Sequence, residues 1–179
     1  MRRLVIGGAR SGKSRYAEGL HRDVEVVDYV ATSSRVADDA EWEARLAAHV
    51  ARRPAGWRTV ETLDVARVLS SRDPAPVLVD CLTVWLSRVL DECGAWPELP
   101  GYEENALVAV HARVDALVGA VAATARDVTF VTNEVGQGVV PASASGRLFR
   151  DEMGILNARV ADVCDEAWLL VAGLPVRLR

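Results

Sequence analysis

GGARSGKS, residues 7–14, decides the fold. Gly7, Gly12, Lys13 and Ser14 satisfy G-x-x-x-x-G-K-[ST], the pattern of a loop whose backbone N–H groups cradle phosphates. The apolar LVIG before it (residues 4–7) reads as a short buried strand, and residues 10–20 read as a helix. That strand–loop–helix context is what the motif requires. Glycine lets the backbone curl around phosphate oxygens without a Cβ clash, and a helix N-terminus adds partial positive charge. Lys13 is the only lysine in the chain; every other long cation is an arginine. A compact ammonium on a flexible stem suits the β and γ phosphates, where a broad planar guanidinium fork does not fit. Residues Gly7, Gly8, Ala9, Arg10, Ser11, Gly12, Lys13 and Ser14 are therefore the expected nucleotide cradle, with the Ser14 hydroxyl suited to Mg²⁺.

A phosphate-binding loop also needs a second carboxylate near the metal. Asp80, at the end of the apolar stretch VLVD, is the candidate. The competing reading is a strand-end Asp that caps the next helix. Ras-like guanine recognition through N-K-x-D is excluded, since it needs a second lysine.

Outward from the loop, apolar segments alternate with helical patterns. Residues 24–32 and 76–83 read as strands, 39–53 as a helix ended by Pro54, and 83–93 as a helix. Residues 103–125 read as a long helix with Leu107, Val110, Val114, Leu117 and Val121 on one side. Residues 128–134 are strand-like, a helix runs to about 165, and WLLVAG and PVRLR form final strands. Residues 94–101 and 136–146 read as flexible loops. The expected fold is α/β: one P-loop NTPase (RecA-like) domain over residues 1–179, with a mostly parallel central sheet flanked by helices.

The 179 residues suit one domain, and a net charge of −4 argues against a nucleic-acid or anionic-membrane coat. No apolar run is expected to span a membrane, and MRRLVIGG is too short for a signal peptide. Cys81, Cys93 and Cys164 are odd in number and form no C-x-x-C, which suits a reducing cytoplasm. His21, His49 and His111 lie too far apart for local metal spacing.

His49 follows Arg45 by four residues and precedes Arg52 by three, so on a helix the three share a face. The plain reading is a partly buried histidine beside Val50. The chemical reading is a nucleophile for an α-phosphate, kept neutral by the guanidiniums that also stabilise developing charge.

Several stretches together resemble one family: GGARSGKSRYAE (7–18), YVATS (29–33), RLAAHVARRPAGWRTVE (45–61), NEVGQGVVP (133–141), GRLFRDEMGILN (146–157) and AWLLVAGLP (167–175). The chain resembles, nearly end to end, the bifunctional adenosylcobinamide kinase/adenosylcobinamide-phosphate guanylyltransferase family of cobalamin biosynthesis. The resemblance implies two reactions. ATP or GTP phosphorylates the aminopropanol hydroxyl of adenosylcobinamide; then GMP passes from GTP through a covalent histidine onto that phosphate. It implies His49 as the guanylylated residue. It implies further nucleotide or metal contacts at Thr32, Ser33, Ser34, Val50, Ala51, Arg52, Arg53, Glu61 and Asp80. It also implies a homo-oligomer, a trimer in that family. Asp80 stands where relatives often carry Glu, a shorter reach with the same chemistry. Glu134 and Asp80 are both open as base for the alcohol proton. Two other classes stay open: a small-molecule P-loop kinase without guanylyl transfer, and a nucleotide-dependent binding module with slow hydrolysis. The sequence has no lid rich in catalytic arginines of the nucleotide-kinase kind, though Arg147 and Arg150 could serve that role.

Overall fold

The computed structural model describes residues 1–33 and 53–179. In β1 (Arg2–Gly7) the run Leu4-Val5-Ile6 is buried, because both faces of the strand are covered. Helix α1 (Lys13–Gly19) follows, then β2 (Asp28–Ala31) and β3 (Arg58–Glu61). Helix α2 (Val65–Leu69) starts where the Asp64 carboxylate accepts from Arg67 N–H. Then come β4 (Val77–Asp80), α3 (Leu82–Glu92), α4 (Ala106–Ala123), β5 (Val128–Asn133), α5 (Ala144–Val163), β6 (Glu166–Val171) and β7 (Leu174–Arg177).

The strands form one seven-stranded sheet in the order β3-β2-β4-β5-β1-β6-β7. All neighbouring pairs are parallel except β6–β7. The expected α/β class with a mostly parallel sheet is what the chain adopts. Strand alternation splits the interior in two. Leu4, Val77, Val79 and Phe130 face one side, packed with Trp85, Leu86, Val110, Leu117, Met153 and Leu156. Val5, Leu78 and Val131 face the other, packed with Ala17, Tyr29 and Trp57. The C-terminal ends of the parallel strands share one edge, where ligands bind in open α/β sheets.

Four expectations need correction. The first helix starts at Lys13, not residue 10, because Arg10 (φ 57°) and Gly12 (φ 91°) take left-handed backbone. The second strand spans only Asp28–Ala31; Val24 N–H instead closes a turn onto His21 C=O. Strand β3 and helix α2 were not expected, since both are short and β3 is largely exposed, without alternating burial. Finally, α4 is, by length and composition, apolar enough to cross a membrane, with a mean hydropathy of 1.6. Its Val110, Val114, Leu117 and Val121 stripe is nevertheless packed into the core.

The two loops expected to be flexible pin each other. The Glu98 carboxylate accepts from Ala144 and Ser145 N–H, and these bonds hold its pKa below the ordinary carboxylate value. The rings of Trp96 and Phe149 lie 6.0 Å apart. Arg147 donates to the carbonyls of Pro141 and Ala142.

Candidate active site

The phosphate loop leaves β1 at Gly7 and enters α1 at Lys13. Gly7 cannot be replaced without displacement: a Cβ there would lie 2.6 Å from Ser11 Oγ and 2.7 Å from Leu170 C=O. Ser11 N–H donates to Gly8 C=O at 3.3 Å, and the Lys13 ammonium donates to the same carbonyl at 3.1 Å. Among the described residues no side chain caps α1, so its first N–H groups are open to an anion. Burial lowers the Lys13 pKa, opposed by the nearby Cys81 and Asp80. Ser11 is buried, and its hydroxyl has no hydrogen-bond partner among the described residues.

Asp80 ends β4. Two residues after Leu78, it lies on the same face of the sheet as α1. The capping alternative is not what the structure shows: the N-cap of α3 is Cys81, with no side-chain cap bond. Asp80 instead accepts a 2.7 Å hydrogen bond from the Tyr29 hydroxyl. The Arg53 guanidinium lies 3.3 Å from the centre of the Tyr29 ring and donates to Thr59 Oγ1 at 3.2 Å. Burial, reinforced by Asp80, pushes the Tyr29 pKa far up, so this phenol remains a donor. Arg53, Tyr29 and Asp80 thus form one connected line at the edge.

Thr32 is buried. Its hydroxyl donates to Cys81 C=O at 2.8 Å and accepts from Cys81 N–H at 3.1 Å, while Arg88 donates to its carbonyl. Its side chain therefore ties the end of β2 to the end of β4, beside the site. Ser33 is half-buried just beyond it, and Glu61 is exposed at the end of β3. Ser34, His49, Val50, Ala51 and Arg52, and the helix expected over 39–53, lie outside the described residues.

Two residues at the end of β5 complete the edge. Asn133 pairs in register with Gly7, and its Oδ1 is buried with no hydrogen-bond partner among the described residues. Glu134 N–H donates to Gly7 C=O at 3.3 Å, and its carboxylate accepts from Gly136 N–H at 2.6 Å. A pocket of about 410 Å³ opens here, lined by Gly8, Arg10, Ser11, Glu134, Gln137 and Leu170, among others. The sequence alone did not point to Tyr29 beside Asp80 or to Asn133 beside Gly7. Tyr29 looks like strand filler, and only the strand order reveals that Asn133 lies next to Gly7.

Among the described residues, no group of three or more His, Cys, Asp or Glu could hold a metal ion. The hard oxygens of Ser14 and Asp80 do fit Mg²⁺, which keeps several waters and takes further ligands from substrate phosphates.

The family described as cobinamide kinase / cobinamide phosphate guanyltransferase matches residues 3–178. The chain belongs to this family. It is therefore an enzyme, a kinase and a guanylyltransferase of cobalamin biosynthesis. It is 39% identical over 180 residues to the bifunctional adenosylcobalamin biosynthesis protein CobU of Salmonella typhimurium, covering 98% of each chain. The Escherichia coli protein of the same name shares 39% identity over the same length. The bifunctional adenosylcobalamin biosynthesis protein CobP of Pseudomonas aeruginosa is 41% identical over 183 residues, covering all of this chain and 98% of that one. Among solved structures, the assembled ATPase EscN of the enteropathogenic E. coli type III secretion system aligns with a TM-score of 0.53 at 11% identity. That alignment covers 96% of this chain and 43% of EscN. At this identity the likeness concerns the fold alone, a RecA-like P-loop domain.

Proposed function

We propose that residues 1–179 act as one catalytic unit that phosphorylates the aminopropanol hydroxyl of adenosylcobinamide and then guanylylates the product. In the first reaction the alcohol oxygen attacks the γ-phosphorus of ATP or GTP, and the nucleoside diphosphate leaves. In the second, an imidazole nitrogen of His49 attacks the α-phosphorus of GTP and pyrophosphate leaves. The cobinamide phosphate then displaces histidine, giving adenosylcobinamide-GDP.

The observation that carries this reading is the phosphate loop. Its lone ammonium and uncapped helix start lie at the same sheet edge as the Asp80 carboxylate. Phosphoryl transfer needs placement and charge neutralisation more than covalent chemistry, and these groups supply both. Mg²⁺, held by Ser14 and by Asp80 directly or through water, would neutralise triphosphate charge. Gly7 through Ser14 bind the triphosphate. Thr32, Ser33, Ser34, Val50, Ala51, Arg52, Arg53 and Glu61 complete the nucleotide site; for Thr32 the contribution is through backbone placement. The working form is a homo-oligomer, a trimer by family resemblance. The three cysteines are free thiols, which suits the cytoplasm.

Incubation with α-labelled GTP and mass-spectrometric mapping of the phosphoramidate tests the second reaction. Wild type takes up acid-labile label on His49; His49→Ala takes up none and keeps at least part of its kinase turnover. Undiminished labelling of His49→Ala places the nucleophile elsewhere. Kinase turnover in a wild type that never labels makes the chain a P-loop small-molecule kinase alone.

A further inference from the structure

Building on the kinase reading above, we propose that Glu134 is the catalytic base of the first reaction, and that the pocket it lines receives the acceptor alcohol. Among the described residues, Asp80 and Glu134 stand at the ends of the central strands β4 and β5, whereas Glu61 ends the edge strand β3, and the surroundings of the first two differ. Asp80 is committed to the α1 side: it accepts the Tyr29 hydroxyl and acts electrostatically on Lys13. A carboxylate that grips the metal side of the nucleotide is poorly placed to take a proton from the incoming nucleophile.

Glu134 is held differently. Its backbone N–H continues the β5–β1 ladder onto Gly7, one residue before the carbonyl that holds the Lys13 ammonium. Its side chain therefore springs from a point beside the loop that would grip the terminal phosphate. The Gly136 N–H bond fixes one carboxylate oxygen. A side chain on Gly136 would press on that oxygen, since a Cβ there would lie 3.0 Å away. Glu134 lines the 410 Å³ pocket together with the outer side of the loop, Gly8 to Ser11, and Gln137. That volume suits a short hydroxyl-bearing arm rather than a whole corrinoid. The loop leaving Glu134 also carries Val139, 93% exposed, and Val140, 59% exposed, an apolar lip for the body of such a substrate.

The step balances without another reactant. The alcohol oxygen forms its bond to the γ-phosphorus as the bond to the β-bridging oxygen breaks. The alcohol proton passes to the Glu134 carboxylate, and the nucleoside diphosphate carries away the bond's electron pair.

The test compares wild type, Glu134→Gln and Glu134→Ala in ATP-dependent phosphorylation of adenosylcobinamide, with ATP affinity measured by calorimetry. Glutamine keeps an acceptor for Gly136 N–H, and thermal unfolding checks that it folds. The expected result is a roughly 10²–10⁴-fold loss of kcat in Glu134→Gln, the usual contribution of a general base. ATP affinity stays within about threefold of wild type, a change of well under 1.4 kcal/mol. Formate restores part of the Glu134→Ala rate, a response that a merely structural role does not produce. A near-wild-type kcat in Glu134→Gln, a kcat loss matched by weakened ATP binding, or indifference of Glu134→Ala to formate overturns the assignment. A wild type that binds ATP yet phosphorylates no adenosylcobinamide overturns the proposed function itself, and Glu134's role with it.

Discussion

Lys13 carries its charge into a half-buried position, where desolvation makes the ammonium easier to deprotonate and a polyphosphate would restore its stability. Hydrogen bonds between charged partners are worth about 1.5–3 kcal/mol. Lys13→Ala should therefore weaken GTP binding by roughly 10- to 150-fold. Lys13→Arg should fall close to it despite the retained charge, because the planar fork does not fit the slot. Calorimetric titration of both variants checks this, and wild-type affinity in Lys13→Arg contradicts it. Gly12 poses a different constraint. Its φ of 91° is strained for any L side chain, and a Cβ would stand 3.3 Å from Gly173 Cα. Gly12→Ala should cost about 1–2 kcal/mol of stability from backbone strain alone, read as a lower Tm, and should loosen GTP binding as well. At this scale the sequence was informative wherever chemistry leaves a fixed spacing. Gly7, Gly12, Lys13 and Ser14 were legible because the cradle is local. Tyr29 was not, because its role depends on a strand neighbour 51 residues away.

Among the elements, the start of α5 is stabilised from two directions. Ser143 accepts from Gly146 N–H, and Glu98, far off in sequence, accepts from Ala144 and Ser145 N–H. Glu98→Ala should lower stability, because two N–H groups at the start of α5 lose their acceptor. The loss is measurable as a shifted urea midpoint with unchanged slope. Residues 94–101 and 136–146 looked flexible because Gly and Pro mark turns, and local composition carries no sign of a carboxylate arriving from elsewhere. Long periodic elements such as α4 were legible by their stripe; β3, four residues long and mostly exposed, offered no period to detect. His21, just after α1, gives the fold a pH signature. Its ring nitrogen pairs with Thr129 Oγ1 at 2.9 Å, and burial, with a lesser push from Arg3, lowers its pKa to about 4. The unfolded chain protonates this imidazole near its ordinary pKa of about 6.5. As pH falls from there towards 4, the unfolded state binds the extra proton, so stability declines through that window. Below both values the full penalty stands; above 6.5 the group contributes no pH dependence. His21→Gln should flatten that stretch of the stability–pH curve, followed by chemical denaturation at stepped pH.

For the molecule as a whole, the edge opposite the phosphate loop is locked by a buried guanidinium. Arg126 donates to the carbonyls of Ala75 and Val68, to Ser71 Oγ and, at 2.5 Å, to Asp28, which also accepts from Arg58. Among the described residues, Arg126→Met leaves the buried Asp28 with the half-exposed Arg58 alone, and it takes the guanidinium donor from the carbonyls of Ala75 and Val68, the latter keeping Ser71 N–H. A loss of about 3–5 kcal/mol is expected, as for other broken buried pairs, and equilibrium unfolding in urea measures it. The parallel sheet was legible from alternating elements, but its order was not, since strand order is fixed by long-range packing rather than by any local pattern. That order has a consequence for biogenesis. The strand that launches the phosphate loop is flanked by β5 and β6, and the β6–β7 turn bonds back through Gly173 N–H to Ser11 C=O at 2.9 Å. A nascent polypeptide stalled on the ribosome before β6 and β7 emerge thus lacks one neighbour for β1 and a brace for the loop that follows it. Triphosphate capture should switch on only once these two strands have joined the sheet.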